Sequence, residues 1–203
     1  MVVGLDSASS RECHSPILSG TLAPYNRSIT HGLVVVVISD QVSSSRTEKC
    51  PKVLARSCAG YQTIYRAMMQ ATALKESCWR QFVRNKNQVT YLSSTAGSLG
   101  LMQINPRVWR GFYNVQQLKW NTHYNGRAGA EILMQYFKRY GIEEAKQTGQ
   151  RENAARAAYA VYNAGPAEAK RYRAKHSTVR ERKVDGAFWG MYRGFANHSL
   201  FQC

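Results

Sequence analysis

From Tyr61 onward the apolar residues recur at helical steps: Ile64, Met68, Ala71 and Leu74 fall three and four apart. Side chains at that interval share one helix face. The stretch therefore predicts an amphipathic helix running to about Phe82 or Val83. Residues 127–140 repeat the pattern, with Ile132, Leu133, Tyr136 and Phe137 inward and Gly141 placed as a C-cap. Residues 152–162 are Ala-rich and helical. Gly165-Pro166 interrupts them, and residues 167–175 resume a helix. Residues 99–104 read as a compact apolar turn of helix stopped by Pro106. Between these, residues 85–98 are polar around a short apolar stretch at 89–92, the pattern of a loop with a small hairpin. Phe188, Trp189, Tyr192 and Phe195 supply an aromatic cluster to close the core. The expected fold is mainly α, with functional loops between helices.

The first part of the chain lacks this order. Residues 1–57 are Ser-rich and show no helical period, and the six-residue run at 33–38 reads as one β-strand. We expect an N-terminal extension over 1–57, irregular or packed on a domain over 58–203. No run approaches the roughly 18 apolar residues of a membrane span. A secretory leader is not evident. Five cysteines at wide spacing contain no CxxC pair, which argues against structural zinc. The Cys50–Cys58 spacing permits a disulfide.

The net charge of the 203-residue chain is +16, which calls for an anionic partner: nucleic acid, an acidic membrane or an acidic polysaccharide. Residues 58–203 hold 22 basic and eight acidic side chains, so the charge sits there. Lys170, Arg171, Arg173, Lys175 and residues 180–183 form its densest run.

Against this background Glu76 stands out. It closes an apolar-faced helix beside Leu74 and Trp79, and no acidic residue follows from Ser77 to Ala130. Apolar surroundings and a helix C-terminus both raise a carboxyl pKa, which suits a general acid. The ordinary alternative is a surface Glu paired with Arg80. Two-carboxylate glycoside hydrolysis needs a second acid across the bond. Glu131 or Glu143 would have to fold back to provide one. A single acid with a substrate-supplied nucleophile fits better. Two further blocks carry polar groups among small or apolar ones. Residues 97–106 set Gln103 and Asn105 beside Gly97 and Gly100. Residues 157–166 set Tyr159, Tyr162 and Asn163 before Gly165-Pro166. Amides in such settings hold sugar hydroxyls or N-acetyl groups. The five histidines show no metal-ligand spacing, and no nucleotide-binding fingerprint occurs.

These three blocks resemble the soluble lytic transglycosylase catalytic domain of the lysozyme-like superfamily. The marks are Glu76-Ser77, then Gly100-Leu101-Met102-Gln103, then Tyr162-Asn163-Ala164-Gly165-Pro166, with the Asn-Gly-helix segment at 121–140. The resemblance spans about residues 58–180. The gap between Glu76 and Gly100 exceeds the usual spacing, so residues 84–95 read as an enlarged loop. The resemblance implies a goose-lysozyme-like helical fold and cleavage of the β-1,4 bond between N-acetylmuramic acid and N-acetylglucosamine, leaving 1,6-anhydromuramyl ends. It makes Glu76 catalytic, with Ser77 and Tyr162 orienting it. Met102, Gln103, Tyr159 and Asn163 become substrate-binding. It implies no cofactor or metal, a monomer acting on peptidoglycan strands rather than on a specific nucleic acid, and a site of action in the cell envelope. Envelope or phage-tail partners are compatible with it. A lysozyme-type muramidase, hydrolysing the same bond with water, is the alternative.

Overall fold

A computed structural model describes residues 55–197, with side chains from Gly60 onward. The strand expected at 33–38 and the Cys50–Cys58 pairing lie outside the residues and side chains so described. The chain divides into two compact units. Within the described residues these are 73–129 and, for the second, 55–72 with 130–197. The divisions fall inside helix α1 (Ala55–Ser77) and inside helix α3 (Thr122–Tyr136).

Helix α1 follows the predicted period, with Ile64, Met68 and Ala71 buried. It ends earlier than the pattern suggests. Cys78 and Trp79 both turn left-handed, at φ 51° and 59°, and stop the helix at Ser77. The apolar positions beyond, which continue the period in sequence, belong to a hairpin. Strand β1 (Phe82–Asn85) pairs antiparallel with β2 (Gln88–Tyr91) around Lys86 and Asn87, placing Phe82 opposite Tyr91.

Residues 99–104 form no helix, contrary to the expected apolar turn. Leu99 bridges to Ser93 and to Ile104. Gly100 and Gln103 both take positive φ, 69° and 49°, which a right-handed helix does not admit. Leu99, Leu101, Met102 and Ile104 are nonetheless buried, and with Leu118 they make the core of this unit. Leu118 lies on α2 (Val115–Trp120), a short helix that the periodicity did not reveal. It is started by Asn114, whose side chain accepts from the Gln117 amide.

In the second unit the Tyr65 hydroxyl donates to the Ala130 carbonyl at 2.7 Å. Tyr61 and Tyr65 both meet the Phe137 ring edge-on. The chain does not stop at Gly141. A π-turn over Phe137–Gly141 leads directly into α4 (Ile142–Thr148). Gly141 is helical there, at φ −64°, so it is not the C-cap its position suggests. It is needed for closeness: a Cβ would lie 2.6 Å from the Ala154 carbonyl oxygen. Helix α5 (Asn153–Ala164) is buried through its Ala-rich face, and Gly165, at φ 99°, ends it. The helix expected over 167–175 is replaced by two 3₁₀ turns, Pro166–Glu168 and Arg171–Arg173. Helix α6 (Val179–Ala196) opens with a capping box between Thr178 and Glu181. It buries Phe188, Tyr192 and Phe195, the aromatic closure foreseen in the sequence. Phe188 stacks on Tyr159 at 3.9 Å. The fold is thus mainly helical with one two-stranded hairpin among the described residues. None of the described helices is long and apolar enough to cross a membrane.

Candidate active site

Glu76 is the penultimate residue of α1 and is half-buried. The turn behind it is tightly fastened. The Cys78 amide donates to the Leu74 carbonyl at 2.9 Å, the bond of a left-handed helix cap. Glycine normally fills that position, because a side chain there costs roughly 1–2 kcal/mol per residue. Here Cys78 and Trp79 are left-handed in succession, and Cys78 is disulfide-bonded. Such strain persists only where surrounding bonds over-determine the backbone, and it gathers at functional sites. Ser77 provides part of that fastening. Its buried hydroxyl donates to the Ala73 carbonyl at 3.0 Å and accepts from the Arg80 amide at 3.1 Å. The Arg80 side chain returns to the Ser77 carbonyl through Nε. Ser77 therefore fixes the backbone that carries Glu76.

The second block is held by two buried amides that the sequence reading passed over. Gln81 accepts from the Leu101 amide at 2.8 Å and donates to the Leu118 and Lys119 carbonyls at 2.9 and 2.8 Å. Asn125 accepts from the Met102 amide at 2.8 Å and donates to the Leu99 and Leu118 carbonyls at 2.9 and 3.0 Å. These groups are backbone atoms of the turn at 99–102 and of the C-terminal end of α2, and burial demands partners for such atoms where the backbone supplies none. Gly100 sits between the two amides. A Cβ there would stand 2.5 Å from Asn125 Nδ2 and collide with Gln81 as well.

Met102 is fully buried, with its side chain against Gly129. Whatever it contributes passes through packing. Gln103 is half-buried, and its Nε2 donates to the Gly100 carbonyl at 2.8 Å. That bond turns the amide oxygen of Gln103 away, as an acceptor. Asn105 closes the block, with Nδ2 on the Ala96 carbonyl and Oδ1 taking the Arg107 amide.

A family model, the Transglycosylase SLT domain, matches residues 55–184, well over half of the chain. The chain belongs to the Transglycosylase SLT family. This family acts on peptidoglycan as lytic transglycosylases, in the periplasm or cell envelope, and the helical fold is that of a lysozyme-like SLT domain. Comparison with curated proteins and with solved structures gives no match.

The third SLT block lies in the second unit. Tyr159 is buried on α5 and stacked on Phe188, so it offers no surface. Tyr162 and Asn163 are half-exposed on the last turn of α5. Asn163 Oδ1 accepts from Arg171 Nη2 at 3.3 Å. Arginine is a donor only, so the bond fixes which way the amide points. The Asn163 NH₂ faces away, as a donor. Arg171 is itself locked by Asp185, at 3.0 Å through Nε and 2.6 Å through Nη2. Burial works to lower the Arg171 pKa, but the bonds and charge of Asp185 outweigh it and raise it.

Glu144, itself buried, makes a second ion pair, with the exposed Arg173. It takes hydrogen bonds from Arg173 and, at 2.9 Å, from the Tyr172 hydroxyl. Burial opposes its ionisation, yet these bonds and the nearby cations hold its pKa below the ordinary value. In turn, burial and the Glu144 bond push the Tyr172 hydroxyl up to about 12. Of the basic run at 170–183, Arg171 is thus spent inside the fold and the exposed Arg173 is paired with Glu144, which weakens the case for that run as a nucleic-acid surface. The acid Glu143 is exposed and takes a hydrogen bond from Gln147. Among the described residues no cluster of three His, Cys, Asp or Glu side chains could hold a metal ion.

Proposed function

We propose that the chain is a lytic transglycosylase that cleaves the bond between N-acetylmuramic acid and N-acetylglucosamine with Glu76 as its one acid-base group. The observation that carries this is the construction behind Glu76. The helix is stopped one residue later by two residues of left-handed backbone, a disulfide and the Ser77 bonds. A surface glutamate has no use for such an anchorage. A group that must both give and take a proton at one oxygen does, because small displacements there cost large factors in rate.

Glu76 gives its proton to the glycosidic oxygen as the C1–O bond breaks. The acetamido carbonyl of the muramic acid then stabilises C1, in the place of a second enzyme carboxylate. The ionised Glu76 takes the proton of the C6 hydroxyl, whose oxygen bonds to C1 and closes the 1,6-anhydro ring. The proton count balances, and no water enters. Ser77 acts as a positioning residue. In the first unit Gln103 offers an acceptor, and in the second Asn163 offers a donor; each suits a sugar hydroxyl or an acetamido group. The acid-free stretch after Glu76 favours this route over a hydrolase.

The test is mass spectrometry of the products from purified peptidoglycan, with Glu76→Gln as control. We expect 1,6-anhydromuramyl ends from the parent chain and a fall in rate of at least about a thousandfold in the variant. Reducing ends in their place would make the chain a muramidase. Unchanged products from Glu76→Gln would remove Glu76 from its role.

A further inference from the structure

We infer that Trp120, with Phe82 and Tyr91, forms a second glycan contact: a platform for one pyranose ring of a strand whose stem peptide bears carboxylates. The inference rests on the peptidoglycan reading above.

Trp120 ends α2 and is 51% exposed, a large share for the largest aromatic ring a chain can carry. It is not loose. Its ring stacks on Phe82 at 6.1 Å and meets Tyr91 edge-on at 5.3 Å. Phe82 and Tyr91 are themselves cross-strand partners at the base of the hairpin. Gln81, the residue before β1, bonds to the Leu118 and Lys119 carbonyls, so the helix end and the hairpin base are tied by a buried amide. The result is a rigid aromatic surface. Such a surface costs no ordering entropy when a ligand arrives. A pyranose presents a face of C–H groups with positive hydrogens, the complement of the negative face of an aromatic ring.

The surrounding charge selects the strand. Lys119 Nζ lies 5.0 Å from the Tyr91 ring centre, at the platform's edge. Arg84 and Lys86 are exposed on the hairpin. Over residues 77–130 there is no acidic side chain at all. On the hairpin and α2 an anionic substituent on the sugar therefore meets cations and no carboxylate. The same excess disfavours a second copy of the chain as occupant, since two such faces repel.

The platform is tested by equilibrium binding to full-length Glu76→Gln protein, which needs no turnover. The probes are the neutral N-acetylglucosamine tetramer and soluble peptidoglycan strands with and without stem peptides. Trp120→Ala should weaken all three about tenfold, and Trp120→Phe should restore most of the loss. Lys119→Gln should leave the tetramer unchanged and weaken only the peptide-bearing strands, about threefold. In the active parent, Trp120→Ala should raise KM while kcat changes less than about twofold. Circular dichroism and Tm establish that each variant is folded. Unchanged tetramer binding by folded Trp120→Ala overturns the platform. So does tighter binding of a single-stranded oligonucleotide than of peptide-bearing strands, or a parent dimer that Trp120→Ala dissolves. Anhydro products with unaltered KM would sink the platform alone. Glycan binding that depends on Trp120, without anhydro products, would sink the reaction and leave the platform.

Discussion

Gly100 shows how much of the candidate site depends on the absence of one atom. Its neighbours Gln81 and Asn125 close in from both sides because no Cβ keeps them apart. The backbone there is also left-handed. Gly100→Ala adds steric overlap to backbone strain, so we expect a loss of about 3 kcal/mol in stability. Urea denaturation measures it, and a loss below about 1 kcal/mol would mean the two amides can yield. At this scale the sequence was readable in parts. The Gly-Leu-Met-Gln block and Glu76 stood out by composition and neighbourhood. Gln81 and Asn125 did not, since a lone amide in sequence carries no sign that it will satisfy three buried backbone groups. Met102 and Tyr159 were legible as members of their blocks. Their burial was not, because an apolar or aromatic residue beside a polar cluster suits a cleft wall and a core equally.

At the scale of elements, periodicity served where one face of a helix is buried and failed where turns intervene. Helices α3 and α5 lie close to their expected positions, while α6 was legible only as an aromatic cluster, not as a helix. Helix α1 ends at Ser77 because the apolar residues after it change role without changing spacing. The turn at 99–104 mimics a helix in composition, while its positive φ values come from tertiary bonds. Gly141 looked like a stop and proved to be a point of close approach. The ion pair between Arg171 and Asp185 was invisible for another reason: it joins a 3₁₀ turn to α6 across 14 residues. Both partners are buried, so removing one leaves the other charge without compensation. Asp185→Ala should cost about 3–5 kcal/mol. Asp185→Asn should cost less, since an amide still accepts a bond from Arg171. Thermal denaturation of both variants checks the order; equal losses would remove charge as the cause.

Across the molecule, the few acids are put to specific use. Asp185 neutralises a buried arginine, Glu181 caps a helix, and Glu144 gathers Arg173 and Tyr172. The depressed pKa of Glu144 gives stability a direction in pH. Its folded-state value lies below the unfolded one, so its contribution is complete above about pH 4.5. It is lost as the pH falls through the depressed value. Tm should therefore drop on acidification from pH 5 toward 2, and Glu144→Gln should make that part of the profile shallower. A profile unaffected by the substitution would mean other carboxylates govern acid unfolding. The net charge of +16 has the same logic in reverse. With acids so few, and Asp185 and Glu144 each already paired to an arginine, most cations are left to face an anionic wall.

The Gln81 side chain joins two things a designer would wish to tune separately. One end holds the block at Leu101; the other holds the helix end that presents Trp120. Changes at positions 81, 100 and 125 are therefore conditional on one another. A substitution acceptable in one background becomes harmful in the next. Variation in glycan preference should enter through the ring at 120 or the charges around it, and leave the triad of positions beneath it untouched.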